Sequence, residues 1–425
     1  MCRNFVFSFL LLYIIISYTS YSQNNLDYYL AAAYGNNPNI KGLTNENRIN
    51  ELNKDIANAQ YSIPHASITA NYLFAPYFNN NGQILSTNPS PQAYGYDVSI
   101  TNGGLYSAQF NIEKNIFNSG LLDAYYNQSD LQSGSNLNQI ELFKHGINKD
   151  VTAQYLKCLE SLELYSISKS IVDTLKQQLT ITDSMVSKGY AKQSDYLLLK
   201  IEIETQSITA EQFLNDYRSN LYTLDALCGI HDSTIVNLSG IKLQESSKAI
   251  HSNFLLQYGI DSSLAINRQE IFETQYLPQV NLFFNTGLNA VELNQMQRKL
   301  GFNAGVNFLL PIYDGSQRSI TRQQSQIALS TINSYRENEI VVLNNKINDA
   351  KAQVDFFSNN LSKIRQQLAN YEKIIEISKA ELVSGQLLMI EYITIIKNYL
   401  ELKKNEITTS FDEQQSLNNY NYWNW

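Results

Sequence analysis

The seven prolines are Pro38, Pro64, Pro76, Pro89, Pro91, Pro278 and Pro311, so none falls between 92 and 277 or after 311. Proline lacks the backbone donor and clashes with the preceding turn, so long helices exclude it. The proline-free stretches are therefore where long helices can form, and the proline-bearing stretches read as strands and turns. Apolar spacing agrees. Val354, Phe357, Leu361, Ile364, Leu368, Tyr371, Ile375 and Leu382 advance by threes and fours, the seam of a heptad pattern. Tyr155, Cys158, Leu162, Tyr165, Val172, Leu175, Leu179 and Val186 do the same. Taken alone, these residues suit an ordinary coiled coil.

Four other segments alternate with a period of two. Val280, Leu282, Phe284 and Leu288 interleave with Asn281, Asn285, Gly287 and Asn289. Phe302, Ala304, Val306, Phe308 and Leu310 interleave with Asn303, Gly305 and Asn307. Tyr106, Ala108, Phe110 and Ile112 face Ser107, Gln109 and Asn111, and Ala66, Ile68, Ala70, Tyr72 and Phe74 face Ser67, Thr69 and Asn71. An apolar side and a small polar side over about ten residues is the pattern of a transmembrane β-barrel strand. A soluble sandwich would alternate in the same way, with core replacing lipid.

The chain is duplicated. Ile116-Phe117-Asn118-Ser119-Gly120 matches Ile312-Tyr313-Asp314-Gly315-Ser316. Ser187-Lys188-Gly189 with Asp195-Tyr196-Leu197 matches Val383-Ser384-Gly385 with Glu391-Tyr392-Ile393. Position 120 to 316 and position 189 to 385 are the same step of 196. Neither long helix has therefore gained or lost a residue relative to its copy, as two rods of equal reach require. Ile63-Pro64 and Leu277-Pro278 mark the strand starts, and a long Asn-, Gly- and Pro-rich loop at 79–103 absorbs the different spacing there. The expected layout has a first repeat over 23–229, with strands near 64–78 and 104–117 and helices near 119–188 and 192–228. The second repeat, 230–425, has strands near 278–290 and 301–313 and helices near 316–383 and 387–418. Segments 26–60 and 230–275 are expected as shorter helices. Gly189 and Gly385 supply the positive φ that ends each long helix.

Residues 1–22 read as a secretory signal peptide: Arg3, an almost unbroken apolar run of twelve from Phe5 to Ile16, then Ser20-Tyr21-Ser22. No later run is long and apolar enough for a spanning helix. Net charge is −8, without basic runs, which argues against nucleic acid. Cys158 and Cys228 form no disulfide framework and read as small buried hydrophobes. His65, His145, His231 and His251 show no metal-ligand spacing, and no phosphate loop or nucleophile motif occurs. Neither a cofactor nor enzymatic activity is expected. The tyrosine excess, 29 residues, suits the aromatic girdles of a barrel.

The order, duplication and spacing of these motifs, with Asn37-Pro38 near the start, resemble the TolC family of outer-membrane efflux proteins over about 26–418. The resemblance implies an α+β membrane protein. Four strands per protomer would contribute to a trimeric twelve-stranded barrel, and long antiparallel helical hairpins would form a periplasmic barrel. It implies a homotrimer in outer-membrane lipid that meets a periplasmic membrane-fusion adaptor and an inner-membrane pump, proton-driven or of the ATP-binding-cassette type. The tips Lys188, Gly189, Ser384, Gly385 and Leu387 would contact the adaptor. The periplasmic gate would involve Glu391, its equivalent Asp195, and Thr394, where relatives often carry a second acid. Leu387 and Leu388 occupy the region where relatives can carry a locking Arg, so a salt-bridge lock is in doubt. Phe117, Asn118, Gly120, Tyr313, Asp314 and Gly315 would form the strand-to-helix junctions. Two other readings remain open at this stage: the outer component of type I protein secretion, and a periplasmic adaptor or structural coiled coil.

Overall fold

The computed structural model describes residues 25–74, 76–80, 82–86, 94, 106–231, 234–247, 251–290 and 293–425. The expected signal peptide and most of the loop at 79–103 lie outside them. Two helices come first, α1 (Leu26–Asn36) and α2 (Pro38–Tyr61). Asn37 Oδ1 accepts from the N–H groups of Asn39 at 2.9 Å and Ile40 at 3.2 Å. The carboxamide thus caps α2, while Pro38 takes the first helical position, where its missing donor costs nothing. Strands β1 (His65–Tyr72), β2 (Tyr77–Asn80), β3 (Gln83–Ser86) and β4 (Tyr106–Asn115) follow. Next come α3 (Ser119–Ser187, 69 residues), α4 (Gln193–Cys228) and α5 (Leu256–Glu273). The chain ends with β5 (Gln279–Ala290), β6 (Leu300–Leu309), α6 (Gln317–Val383, 67 residues) and α7 (Met389–Trp423). These elements form two compact units, each drawing on both repeats: one from 42–140 and 253–340, the other from the remainder.

The first unit holds an antiparallel sheet in the order β1-β4-β5-β6. Its register aligns Ile68, Phe110, Thr286 and Phe302 in one row, and Ala66, Ile112, Phe284 and Ala304 in another on the same face. The opposite face carries the rows Ser67, Asn111, Asn285, Asn303 and Thr69, Gln109, Gly287, Gly301. Asn111 Nδ2 donates to Thr69 Oγ1 and Asn285 Nδ2 to Asn303 Oδ1, both at 2.9 Å. The edge strands β1 and β6 are exposed on both faces, but on the central strands β4 and β5 exposure runs opposite to that of a soluble sandwich: Phe110 and Phe284 are exposed, whereas Ser107 and Asn111 on the polar face are buried. Among the described residues each edge strand, β1 and β6, has one neighbour and presents an open backbone edge.

Helices in this unit follow the strand order. Lys54 of α2 pairs with Asp130 of α3 at 2.5 Å, and the rings of Tyr61 and Tyr125 stack 5.2 Å apart. Buried Asn267 of α5 donates to the Ala124 carbonyl of α3 at 2.9 Å. Glu273 at the end of α5 pairs with Arg318 and Arg322 of α6, each at 2.5 Å. The sequence of helices is therefore α2, α3, α5, α6, with α2 and α6 outermost.

The second unit is a helical assembly with three apolar clusters. Tyr29, Tyr155, Tyr217, Cys158 and Cys228 lie in one of them. The Tyr155 hydroxyl donates to the Ser239 carbonyl at 2.7 Å and the Tyr217 hydroxyl to the Val236 carbonyl, so the buried phenols are satisfied. Both cysteines are free, as the sequence suggests, and burial pushes each thiol up to about 12. Residues 241–247 have no helical or strand structure. Side-chain amides of α7 and of Asn424, which caps it, bind this segment: Gln414 Oε1 accepts from Leu243 N–H, Asn421 Oδ1 from Ser246 N–H, and Asn424 Nδ2 donates to the Ser247 carbonyl.

Several expectations change. Strand 64–78 ends at Tyr72, and a separate β2–β3 hairpin turning at Gly82 (φ +85°) occupies part of the supposed loop. Strand 301–313 ends at Leu309, two residues before Pro311, which has no N–H for a ladder. The last helix runs to Trp423 rather than 418, because Leu417, Tyr420 and Trp423 pack with Ala350 and Val354. Only part of 230–275 is helical. The tyrosine excess serves cores as well as surfaces, since Tyr29, Tyr155, Tyr217, Tyr392 and Tyr420 are buried.

Gly287 has φ +149°, and a Cβ there would lie 2.2 Å from the Ala108 carbonyl oxygen. Gly287→Ala should destabilise the folded protein by at least about 1–3 kcal/mol, the cost of backbone strain alone. Its register partner Gly301 has open space around it, so Gly301→Ala should leave the thermal midpoint nearly unchanged by circular dichroism. Equal shifts would refute this account of the sheet.

Candidate functional site

The two helix-to-helix turns repeat each other bond by bond. Gly189 (φ +79°) donates to Val186 at 2.9 Å, and Tyr190 N–H reaches back to Met185 at 2.8 Å. Gly385 (φ +74°) donates to Leu382 at 3.1 Å, and Gln386 N–H reaches back to Glu381 at 2.9 Å. Both are helix C-termini closed by a left-handed residue, and glycine takes that backbone without a Cβ penalty. Lys188 and Ser384 are exposed equivalents at the turn.

The acid six residues on has the same local task in both copies. Asp195 Oδ2 accepts from Lys192 N–H and Glu391 Oε2 from Leu388 N–H, each at 3.2 Å. Each satisfies an orphan donor at a helix N-terminus, where the dipole also favours negative charge. Glu391 stays exposed in the protomer, as does Thr394, whose hydroxyl donates to the Ile390 carbonyl at 2.8 Å. Leu387 packs against an apolar cluster shared by both hairpins, which includes Val172, Leu175, Leu199, Leu382, Tyr392 and Ile396. Half-buried against that cluster, it is less available to a partner than the exposed tip residues around it.

Sequence reasoning missed one ion pair beside this cluster. Glu202 of α4, nearly fully buried, meets Lys397 of α7 at 2.6 Å and accepts from Gln206 Nε2 at 2.9 Å. The pair ties the second helices of the two hairpins. The available signal was an acid beside Leu199 and Ile203, on the buried face of α4.

Both strand-to-helix junctions anchor the start of a long helix to the segment leading into a strand. Asn118 Nδ2 donates to the Tyr61 carbonyl at 2.9 Å, and its own carbonyl accepts from Leu122 N–H at 2.9 Å. Asp314 accepts from the Tyr276 hydroxyl at 2.6 Å, Arg318 N–H at 2.7 Å and Ser316 N–H at 2.9 Å. The Tyr276 hydroxyl first, then the Arg318 N–H, hold the Asp314 carboxyl below the usual range. Gly315 and Ser316 both have positive φ, 66° and 72°, so the chain reverses there into α6. Gly120 sits against Leu277, where an added Cβ would be 3.6 Å from its Cδ1. Phe117 and Tyr313, its counterpart, are both exposed.

Among the described residues no three His, Cys, Asp or Glu side chains converge to hold a metal ion. His145 instead stacks between Tyr422 and Trp425, at 4.8 and 4.0 Å. No described helix is long and apolar enough to cross a membrane.

Solved structures share this fold. A membrane protein from Pseudomonas aeruginosa superposes with a TM-score of 0.71 at 14 % identity, over 94 % of this chain and 93 % of the other. The outer membrane protein VceC of Vibrio cholerae gives 0.69 at 12 %, over 94 % and 96 %. The outer membrane channel CmeC of Campylobacter jejuni gives 0.67 at 15 %, over 94 % and 85 %. No protein-family model and no curated protein matches the sequence. The likeness is one of fold, and the fold is the TolC-like one seen in outer-membrane channels.

A depressed carboxyl contributes stability that is complete above its unfolded pKa and lost as pH falls through the folded one. The Tm difference between wild type and Asp314→Asn should therefore be constant from pH 5 to 8 and close below about 3.9, the free Asp value. A gap that widens on acidification would show that the junction draws on another group.

Proposed function

We propose that this chain, which carries the outer-membrane channel fold, is one protomer of a homotrimeric efflux duct in the outer membrane of a Gram-negative bacterium. One observation carries the reading: on its central strands the sheet exposes Phe110 and Phe284 of the apolar face and buries Ser107 and Asn111 of the small polar face, and among the described residues both sheet edges are open. Lipid suits the first surface and a water-filled lumen the second. Open edges are intolerable in lipid, since every unpaired N–H and C=O there costs several kcal/mol. Four strands cannot close, but three copies supply twelve, enough to enclose a channel. Exposed Phe117 and Tyr313 at the junctions suit the water–lipid boundary, where amphipathic or large aromatic side chains collect.

In this reading the paired hairpins extend into the periplasm. Their tips, at Lys188, Gly189, Ser384 and Gly385, engage a membrane-fusion adaptor that couples the duct to an inner-membrane pump. Export is passive in the duct itself, so neither cofactor nor catalytic group is required. Glu391 from three protomers would ring the periplasmic entrance and favour cations, Asp195 and Thr394 lying nearby in sequence register. The capping bond of Glu391 is compatible with this, because it uses one carboxylate oxygen and leaves the other for the channel.

Light scattering on the detergent-extracted protein, with detergent subtracted, tests the assembly. A 48.4 kDa chain should give roughly 140 kDa as three mature copies. A monomer, or protein released without detergent, would return the helices to a periplasmic coiled-coil role. In planar bilayers Glu391→Gln should reduce cation selectivity. Unchanged selectivity in a stable trimer would remove the carboxylate ring from the account.

A further inference from the structure

Among the described residues, the polar face of the sheet carries charge only at its two ends. At the end that leads into the long helices, one row holds His65, Glu113, Phe283 and Gly305. At the far end, another row holds Asn71, Ser107 and Asn289. Lys299 extends that second row. Leu288 pairs with Leu300, and one step further out the Asn289 N–H donates to the Lys299 carbonyl at 3.1 Å. Residues opposite each other across a ladder share a face, so Lys299 stands on the side of Asn289, and Leu300 on the apolar side. The two rows between these ends contain only Ser, Thr, Asn, Gln and Gly. Ser107 and Glu113, in the two end rows, stand roughly 20 Å apart along β4.

Glu113 and Lys299 are both exposed, and among the described residues neither has an ion-pair partner. His65 shares the Glu113 row, but its Nε2 lies 2.9 Å from the Gln60 carbonyl oxygen. Asp97 and Glu292, the acids of the segments that link the strands at the far end, lie outside the described residues. We propose that in the assembled barrel Glu113 and Lys299 form two rings of opposite charge, one at the inner end of the lumen and one at its outer mouth. The Lys299 ring makes the mouth admit anions and turn back cations arriving from outside. The inference rests on the shared-barrel reading, in which the polar face lines the lumen.

In that reading, cyclic symmetry repeats each residue at one height around the lumen. Helix α2 ends just before His65 and α3 starts just after Asn115, so the Glu113 end is the periplasmic one. Lys299 is then at the exterior. Rings of charged side chains set the ion preference of a pore, because their field raises the local concentration of counter-ions. The sleeve between the rings is neutral, so neither charge is cancelled along it. At 0.1 M salt the Debye length is about 10 Å, and rings roughly 20 Å apart act separately. The two ends therefore give the lumen a polarity. A voltage that drives cations in past Glu113 and anions in past Lys299 fills it with both ions, and the reverse voltage depletes it. The duct should conduct better when its periplasmic side is positive.

Recordings of the full chain in planar bilayers test the rings. When protein is added to one chamber, the long polar helices stay on that side and fix the orientation. In 0.1 M KCl, Lys299→Gln should raise the permeability of K⁺ relative to Cl⁻ by about twofold and even out the currents at opposite voltages. Both changes should grow at 0.01 M and vanish at 1 M, where the Debye length is about 3 Å. Glu113→Gln should move the permeability ratio the other way. Arg298→Gln is the control: it lies one residue away, in the turn rather than the ladder, and should move the ratio far less. A second measurement reads position. Lys299→Cys, treated with a charged, membrane-impermeant methanethiosulfonate, should change conductance, and Leu300→Cys, on the lipid side, should not. Native Cys158 and Cys228 are buried and do not compete. A conducting trimer whose selectivity is the same with and without Lys299 overturns the rings and leaves the duct standing. Equal effects of Arg298→Gln and Lys299→Gln do the same. A monomeric mass, or a trimer that forms no channel, overturns the duct and the rings with it.

Discussion

The backbone of a four-stranded sheet with two unpaired edges sets the terms for everything else in this protein. A strand edge is a row of donors and acceptors, and a protomer that leaves two of them open while turning apolar side chains outward is incomplete alone. The register shows how thoroughly the two faces are segregated. The rows beginning at Ala66 and Ile68 are almost wholly apolar, and the rows beginning at Ser67 and Thr69 contain only Ser, Thr, Asn, Gln and Gly. Small residues on the inner face also make room. Gly305, for example, lets the Phe283 ring cross it, since a Cβ there would meet Phe283 Cζ at 2.5 Å.

The long helices inherit their placement from that sheet. Asn118 and Asp314 stand 196 residues apart and do related work with different chemistry, an amide gripping a carbonyl in one copy and a carboxylate gripping a phenol in the other. At the far ends of the helices the turns at Gly189 and Gly385 repeat their hydrogen bonds with the same step. Equal rods ending in equal turns follow from duplication without insertion. Between the hairpins lies the shared apolar cluster, crossed by the Glu202–Lys397 pair. A buried carboxylate with one half-exposed cationic partner is a contact that a rearrangement of the hairpins would have to break.

Much of this was legible without coordinates. Proline placement marked out the stretches that hold the long helices, because the lost donor and the steric clash act locally, and the duplicated junction and turn motifs set most of their ends to within a few residues. Period-two alternation identified four strands, and the matched step of 196 identified the repeat. Less legible were the strand ends, the hairpin at Tyr77–Ser86 and the extended segment at 241–247. The last is held by Gln414, Asn421 and Asn424, whose amides are more than 160 residues away in sequence and carry no local signal. The tyrosine excess, read as suiting girdles, includes core phenols such as Tyr29 and Tyr217, since composition cannot distinguish a phenol that meets water from one that meets a carbonyl.

The sequence by itself determined element types, the duplication and the turn glycines, because each follows from constraints among neighbouring residues. Only the tertiary structure decided which face of the central strands is the more buried and which strands are edges. Alternation has no inside or outside until strands pair, so Ile68 and Asn111 could have exchanged roles in a soluble sandwich. Pairing buried Asn111 on a central strand and left its neighbour Phe110, on the other face, exposed. It also gave the helices the order of the strands, with α2 and α6 at opposite ends of the unit.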